Sequence, residues 1–133
     1  MEEKRNIVAE NEVFKNNPCY DKCKFVAVRV GKICLELEKK KNIVLNVYLN
    51  QISKSSSSIL ANYSEATTYS ISNRDKVCKF NISLKEARET ISWLSILYEL
   101  EQISKEDYDE LVNEITVIIK ILTAAVNKMS NTH

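Results

Sequence analysis

From Val77 to Tyr98 the apolar side chains fall at Val77, Phe80, Leu84, Ala87, Ile91, Leu94 and Tyr98, alternating steps of three and four without a break. A β-strand, with period two, cannot gather such a set on one face, whereas an α-helix lines it up along one narrow seam. The segment therefore predicts a long helix packed nearly parallel to its neighbours. The rhythm recurs in Tyr20, Cys23, Ala27, Val30, Cys34 and Leu37, in Leu45, Tyr48, Ile52, Ser55, Ile59, Asn62 and Ala66, and in Tyr108, Leu111, Ile115, Ile118, Leu122, Ala125 and Met129. Four such seams joined by short connections predict an all-α, up-down-up-down antiparallel four-helix bundle with long helices.

Local signals place the boundaries. Asn17 before Pro18 supplies a capping side chain and a first-turn residue whose missing N–H costs nothing. Lys39, Lys40 and Lys41 suit the negative end of the first helix, and Asn42 tolerates the left-handed conformation that often ends one. Ser72 or Asn73 is expected to cap the third helix, and Ser104 with Asp107 resembles a capping box before the fourth. The ambiguous stretch is Gln51 to Ala66, QISKSSSSILANYSEA, whose four serines suit a linker as well as a helix. Ile52 and Ile59 keep phase across the run, so a second helix from about Ile43 to about Tyr69 is expected to pass through it. One glycine and one proline leave little punctuation for strands or phosphate-binding loops. The expected organisation is an N-terminal arm over 1–16, one bundle domain over 17–130 and a tail over 131–133.

Charge is unevenly placed. Residues 15–88 hold 14 Lys and Arg against 6 Asp and Glu, and residues 89–133 hold 3 against 8, within a formal net charge of +1. That asymmetry permits a local basic face and equally suits subunits that attract one another. No signal-peptide run opens the sequence and no segment approaches the ~18 unbroken apolar residues of a membrane span, so a cytoplasmic protein without a membrane partner is expected. Cys19, Cys23, Cys34 and Cys78 are expected to be free thiols.

Several constellations are candidates for function. Phe25, Val28 and Leu35 on the first helix, Trp93, Ile96 and Leu100 on the third, and Val112 and Ile119 on the fourth lie off the seams in rows at helical spacing, which points to an interface between subunits. Asn62 at a seam position, with Ser55 and Ser58 nearby, predicts a buried polar network that fixes bundle register. Lys39, Lys40, Lys41, Lys54, Arg74, Lys76 and Lys79 are the candidate contacts to RNA or DNA, which requires that they converge on one surface. Catalytic and cofactor sites are not expected. The di-iron bundle motif needs a Glu-x-x-His pair, and the sole histidine is His133, the final residue. Cysteine-only zinc sites use two close pairs, which Cys34 and Cys78 do not provide, so no metal is expected, and no small-molecule substrate is evident. A nucleophilic cysteine would want a positioned histidine.

The second-helix run Gln51, Lys54, Ser55, Ser58, Ile59, Ala61, Asn62, Glu65 and Ala66, and the third-helix run Leu84 to Thr90 leading to Trp93, Leu94 and Leu97, resemble the four-helix-bundle proteins encoded in intervening sequences of bacterial 23S rRNA genes. That family is related to the accessory proteins of diversity-generating retroelements. Phe25, Ala27, Arg29, Val30 and the Ile103-Ser104 pair are similar too, and the likeness spans about 17–128. It implies an up-down bundle assembled into a ring-like homopentamer, with no known enzymatic activity. Ser56 and Leu60 stand where the family commonly carries glycine, which puts the close helix approach at Leu60 in question. Retroelement relatives are markedly basic and are thought to contact nucleic acid and a reverse transcriptase, from which this chain departs in charge. Two functional expectations follow: a non-enzymatic homo-oligomeric scaffold or interaction protein, and, as the alternative, a nucleic-acid-binding accessory protein acting with a reverse transcriptase or ribosomal RNA.

Overall fold

The structure, a computed structural model, describes residues 14–130. The expected tail and most of the expected arm lie outside them. Four helices follow in order: α1 Pro18–Glu38, α2 Ile43–Thr68, α3 Asn73–Glu99 and α4 Lys105–Ser130. Among the described residues there are no strands. Each helix packs on its neighbours around a square, with α4 closing onto α1. This is the up-down-up-down bundle the seams predict.

The caps act as their sequence suggests, with one exchange of roles. Asn17 Oδ1 accepts from Tyr20 N at 3.0 Å, Ser72 Oγ from Asp75 N at 3.1 Å and Ser104 Oγ from Asp107 N at 3.0 Å. After α1 the left-handed residue is Lys41, with φ 50°, and not Asn42. Asn42 is extended and caps α2 through Leu45 N at 3.0 Å. A side chain that can accept from the next helix is worth about 1 kcal/mol there, so Asn42 serves the start of α2 and leaves the turn's strained position to lysine.

The serine run is helix throughout, as phase continuity across it requires. The buried stripe is broader than the seam, and in places rotated from it. Cys23, Val30 and Leu37 of α1 are buried as expected, but Val26 is buried in place of half-buried Ala27. On α2, Leu49 and Tyr63 are buried where Tyr48 and Asn62 were expected. Tyr63 turns inward because its ring packs on Phe80, centroids 6.0 Å apart, while its hydroxyl donates to Asn17 Oδ1 at 2.9 Å. On α3, Ser83, Thr90 and Leu97 join Phe80, Leu84, Ala87 and Leu94, and half-buried Ile91 and Tyr98 move to the flank. On α4, Leu111, Ile115, Ile118 and Leu122 are buried as the rhythm requires.

Candidate interaction surfaces

The α2–α3 contact is the most intimate of the four and α1–α4 the least. Small residues explain the first. Ser55, Ser56, Ser83, Ala87 and Thr90 are all buried where α2 meets α3 or the core beside them. Each hydroxyl needs a partner in that setting, since an unpaired buried one costs about 1–3 kcal/mol. Ser83 Oγ donates across to Ile59 O at 2.8 Å, Thr90 Oγ1 lies 2.8 Å from both Ser55 Oγ and Glu86 O, and Ser56 Oγ donates to Ser53 O at 3.3 Å.

The buried polar set is thus Ser55, Ser56, Ser83 and Thr90, which differs from the expected Ser55, Ser58 and Asn62. Ser58 and Asn62 are half-buried, and the Asn62 amide donates to Ser58 O on its own helix at 2.9 Å. A side chain already satisfied one turn back has no need of the core. Ser83 and Thr90 were missed because neither is apolar, although both occupy the stripe that Phe80 and Leu94 define. Ser56 is buried at its glycine-like position, and Leu60 is half-buried against the core.

Ion pairs bridge α1 and α4. Lys22 Nζ lies 3.2 Å from Glu114 Oε2, and Arg29 pairs with Asp107 and, at 3.6 Å, with Glu110. Arg29 Nε is buried without a hydrogen bond. These partly exposed pairs set register more than they add stability.

The apolar candidates divide. Phe25, Val28 and Leu35 are exposed, at 42%, 48% and 65%, on the face of α1 turned away from the core. They run about 15 Å along the helix. Val117 and Ile121 are exposed on the flank of α4 that also carries Glu114 toward α1. Leu100 is exposed, while Ile96 is half-buried. Trp93, Val112 and Ile119 are half-buried against the core, because the flanks of α3 and α4 pack on neighbouring helices. Trp93 leans on Tyr48 with ring centroids 6.2 Å apart, its indole N–H buried without a partner. Exposed Val44 and Leu100 share a hollow of about 330 Å³ with Lys40, Asn42, Leu45 and Gln102.

The basic candidates do not converge. Lys39, Lys40 and Lys41 sit in the α1–α2 turn, Arg74, Lys76 and Lys79 start α3 at the opposite end, and Lys54 lies midway along α2. Twenty-six residues of α2 separate the ends by ~39 Å. Lys39 is paired with Glu36 at 3.0 Å and Lys40 with Gln102 at 2.7 Å. The half of the bundle containing that turn, residues 29–55 and 86–117, holds eight Lys and Arg against eleven Asp and Glu. The other half, residues 14–28, 56–85 and 118–130, holds nine against three. The antiparallel fold thus places the positive potential at the Arg74 end, away from the lysine triplet.

All four cysteines are free. Burial, with Glu38 adding to it, pushes the Cys34 thiol up to about 11. Among the described residues no three His, Cys, Asp or Glu side chains cluster to hold a metal ion, and no helix is long and apolar enough to cross a membrane.

The molecule belongs to the class of antiparallel four-helix bundles with short turns, a small-residue α2–α3 contact and apolar side chains left on its outer faces. Residues 15–124 match the family described as 23S rRNA-intervening sequence protein, and the chain belongs to that family. It is similar to a crystal structure of a protein of unknown function from the S23 ribosomal protein family of Bacteroides thetaiotaomicron. The two share 37% identity over 81% of this chain and 97% of that one, with a TM-score of 0.74. No functionally curated protein matches the chain.

Proposed function

We propose that this protein is a non-enzymatic, self-assembling helical scaffold whose subunits meet through the outer face of α1. The observation that carries the reading is the exposed row Phe25, Val28 and Leu35 opposite the helix's buried face, beside exposed Val117 and Ile121. Single exposed apolar residues are ordinary, but a row on one face is the pattern of an interface. A second apolar area lies at a different corner, where Leu100 and Val44 border the hollow by the α1–α2 turn. Two unlike faces on one subunit suit a heterologous contact, which makes a ring where its rotation closes, better than a two-fold dimer. The sequence resemblance sets the expected subunit number at five.

Multi-angle light scattering at micromolar concentration tests this reading. The wild-type chain is expected to run as a discrete oligomer, and the Phe25→Glu, Val28→Glu pair as a monomer with unchanged helix content. A wild-type chain that runs as a clean monomer sinks the proposal.

The uneven charge supports a second reading, an accessory protein that contacts structured RNA or DNA through the Arg74 end. Repeated around a ring, that end would concentrate phosphate-binding charge. A mobility shift with structured RNA at low salt, weakened by the Arg74→Glu, Lys76→Glu pair and left intact by Lys39→Glu, is the expected result. Absence of any shift at low salt counts decisively against it.

A further inference from the structure

The chain turns back on itself just before α1. Asn17 N donates to Phe14 O at 3.2 Å and Asn16 holds a φ of 60°, so residues 14–17 form a β-turn with asparagine at its left-handed position. The turn lays the Phe14 ring flat on Tyr20, with centroids 3.8 Å apart and planes 2° apart, and Tyr20 is buried. Residues 1–13 therefore join the bundle beside the first turns of α1 and not beyond its end. Tyr20 stands on the flank of α1 that faces α2. Ala27 and Cys34 follow it at steps of seven, and Cys34 Sγ donates to Leu49 O of α2 at 3.8 Å.

Beside that stripe lies Gly31, the only glycine of the chain. Inside a helix of 21 residues a glycine destabilises relative to alanine. Among the described residues nothing lies within 4 Å of where its Cβ would stand, so no neighbouring helix requires it. Half-buried Ala27 and Gly31 of α1, with Ser53 of α2, leave a shallow strip of small residues along this flank. One turn past Gly31 the strip opens into a hollow of about 250 Å³ between Cys34, Leu49 and Ser53. Glycine suits such a place when another stretch of chain must come close to the helix backbone.

We infer that the strip is the seat of the chain's own residues 1–13, a strap led back from Phe14 along the α1–α2 flank, over Gly31 and toward the Cys34 hollow. The reach suffices. Tyr20 to Cys34 is ~21 Å along the helix, and thirteen residues span ~20 Å if helical and ~43 Å if extended. Charge is complementary as well. Residues 1–13 carry four Glu against one Lys and one Arg, and the half of the bundle they start from holds nine Lys and Arg against three Asp and Glu. Ile7 and Val8 supply apolar side chains for the strip. A second copy of the chain is the competing occupant, but the turn at Phe14 delivers this segment to the strip and nothing delivers a second copy. Seated there, the strap covers Cys34 and is loosened by salt, which screens the attraction. The inference stands apart from the assembly reading, since it uses the α2-facing flank of α1 and not the Phe25 row.

The test is photo-crosslinking of the full chain with benzophenone carried on Val8→Cys, in a Cys34→Ala, Cys78→Ser background that removes the accessible native thiols. Links mapped by peptide mass spectrometry are expected within one chain, in residues 24–34 of α1 and 50–60 of α2, with a yield that falls as salt rises. Gly31→Leu fills the strip from a position where a Cβ meets nothing, so the bundle keeps its helix content by circular dichroism while the yield is expected to fall. A second measurement needs no label. Gly31→Ala should raise the melting temperature more in an Ile7→Asp, Val8→Asp chain than in the wild type, because only without the strap is the full gain in helix propensity realised. Links on α4 or the Phe25 row, links between chains, no links at all, or a yield indifferent to Gly31→Leu overturn the proposal, as does an equal melting shift in both backgrounds.

Discussion

Thr90 Oγ1 on α3 lies 2.8 Å from Ser55 Oγ on α2, a buried contact between side chains 35 residues apart in sequence. Ser55 in turn donates to Ile52 O at 3.3 Å, so the hydroxyl chain ends on a helix carbonyl and leaves no donor stranded. Two hydroxyls borne on beta carbons can meet directly only where the helices run close, which small side chains permit. The pair fixes the spacing of the tightest helix contact in the bundle and sets its register through a bond that a shift of one turn would break.

Enlarging Ser55 should therefore do more damage than deleting its hydroxyl. Ser55→Ala leaves Thr90 its Glu86 carbonyl and is expected to cost about 1 kcal/mol. Ser55→Leu forces the helices apart and is expected to cost about 2–3 kcal/mol, by the usual penalty of overpacking. Urea unfolding followed by circular dichroism measures both, and equal losses would show that α2 and α3 are not held at this spacing by small side chains.

Architecture was legible because it rests on periodicity. The α4 set of Leu111, Ile115, Ile118 and Leu122 was readable from spacing alone, and phase carried α2 through its serines. The polar core was less so, since Ser83 and Thr90 look like surface residues unless their stripe is extended by angle and not by hydrophobicity. Asn62 misled for the reverse reason. It keeps a seam position in sequence, but its amide is satisfied by Ser58 O, and Tyr63 has the larger surface to bury. The surface charge was illegible in one dimension, because Lys39 to Lys41 are adjacent in sequence yet share their end of the bundle with the acidic first turns of α4.

The ion pairs between α1 and α4 should respond unequally to removal of either side. Asp107→Ala leaves the Arg29 guanidinium half-buried with only Glu110 for company, and about 1 kcal/mol is expected to be lost. Arg29→Met keeps the apolar stem and removes the buried Nε that has no hydrogen bond, so its cost should stay below about 0.5 kcal/mol. Thermal melts at low and high salt test this, with the wild-type advantage over Asp107→Ala shrinking as salt screens the pair. A larger loss from Arg29→Met than from Asp107→Ala would contradict the assignment.

Thiol chemistry should be ordered by exposure and charge. Cys78 is exposed and is expected to react first with iodoacetamide. Cys34, pushed up to about 11, has roughly one thiolate in several thousand molecules near pH 7.5, so its alkylation should be slow. Its rate should rise about tenfold per pH unit until that value is approached. Peptide mass spectrometry of timed reactions distinguishes the two, and equal labelling at neutral pH would refute the ordering.

Glu86 supplies a pH test of the fold. Partial burial raises its carboxyl above the usual range, with like charge from Glu89 adding to the effect and Lys85 opposing it. A carboxyl that is a weaker acid folded than unfolded binds its proton more tightly in the native state, so its ionisation destabilises the bundle as pH rises through the folded value. Below the unfolded value, about 4.3, both states are protonated and the penalty is absent. Glu86→Gln removes the ionisable group while keeping the length of the side chain, and the helical geometry of α3 that carries Thr90 four residues on is unaffected. The variant is expected to melt at a higher temperature than wild type at pH 7 and at the same temperature near pH 3.5. A difference that persists unchanged at pH 3.5 would assign the gain to packing and not to the carboxylate's charge.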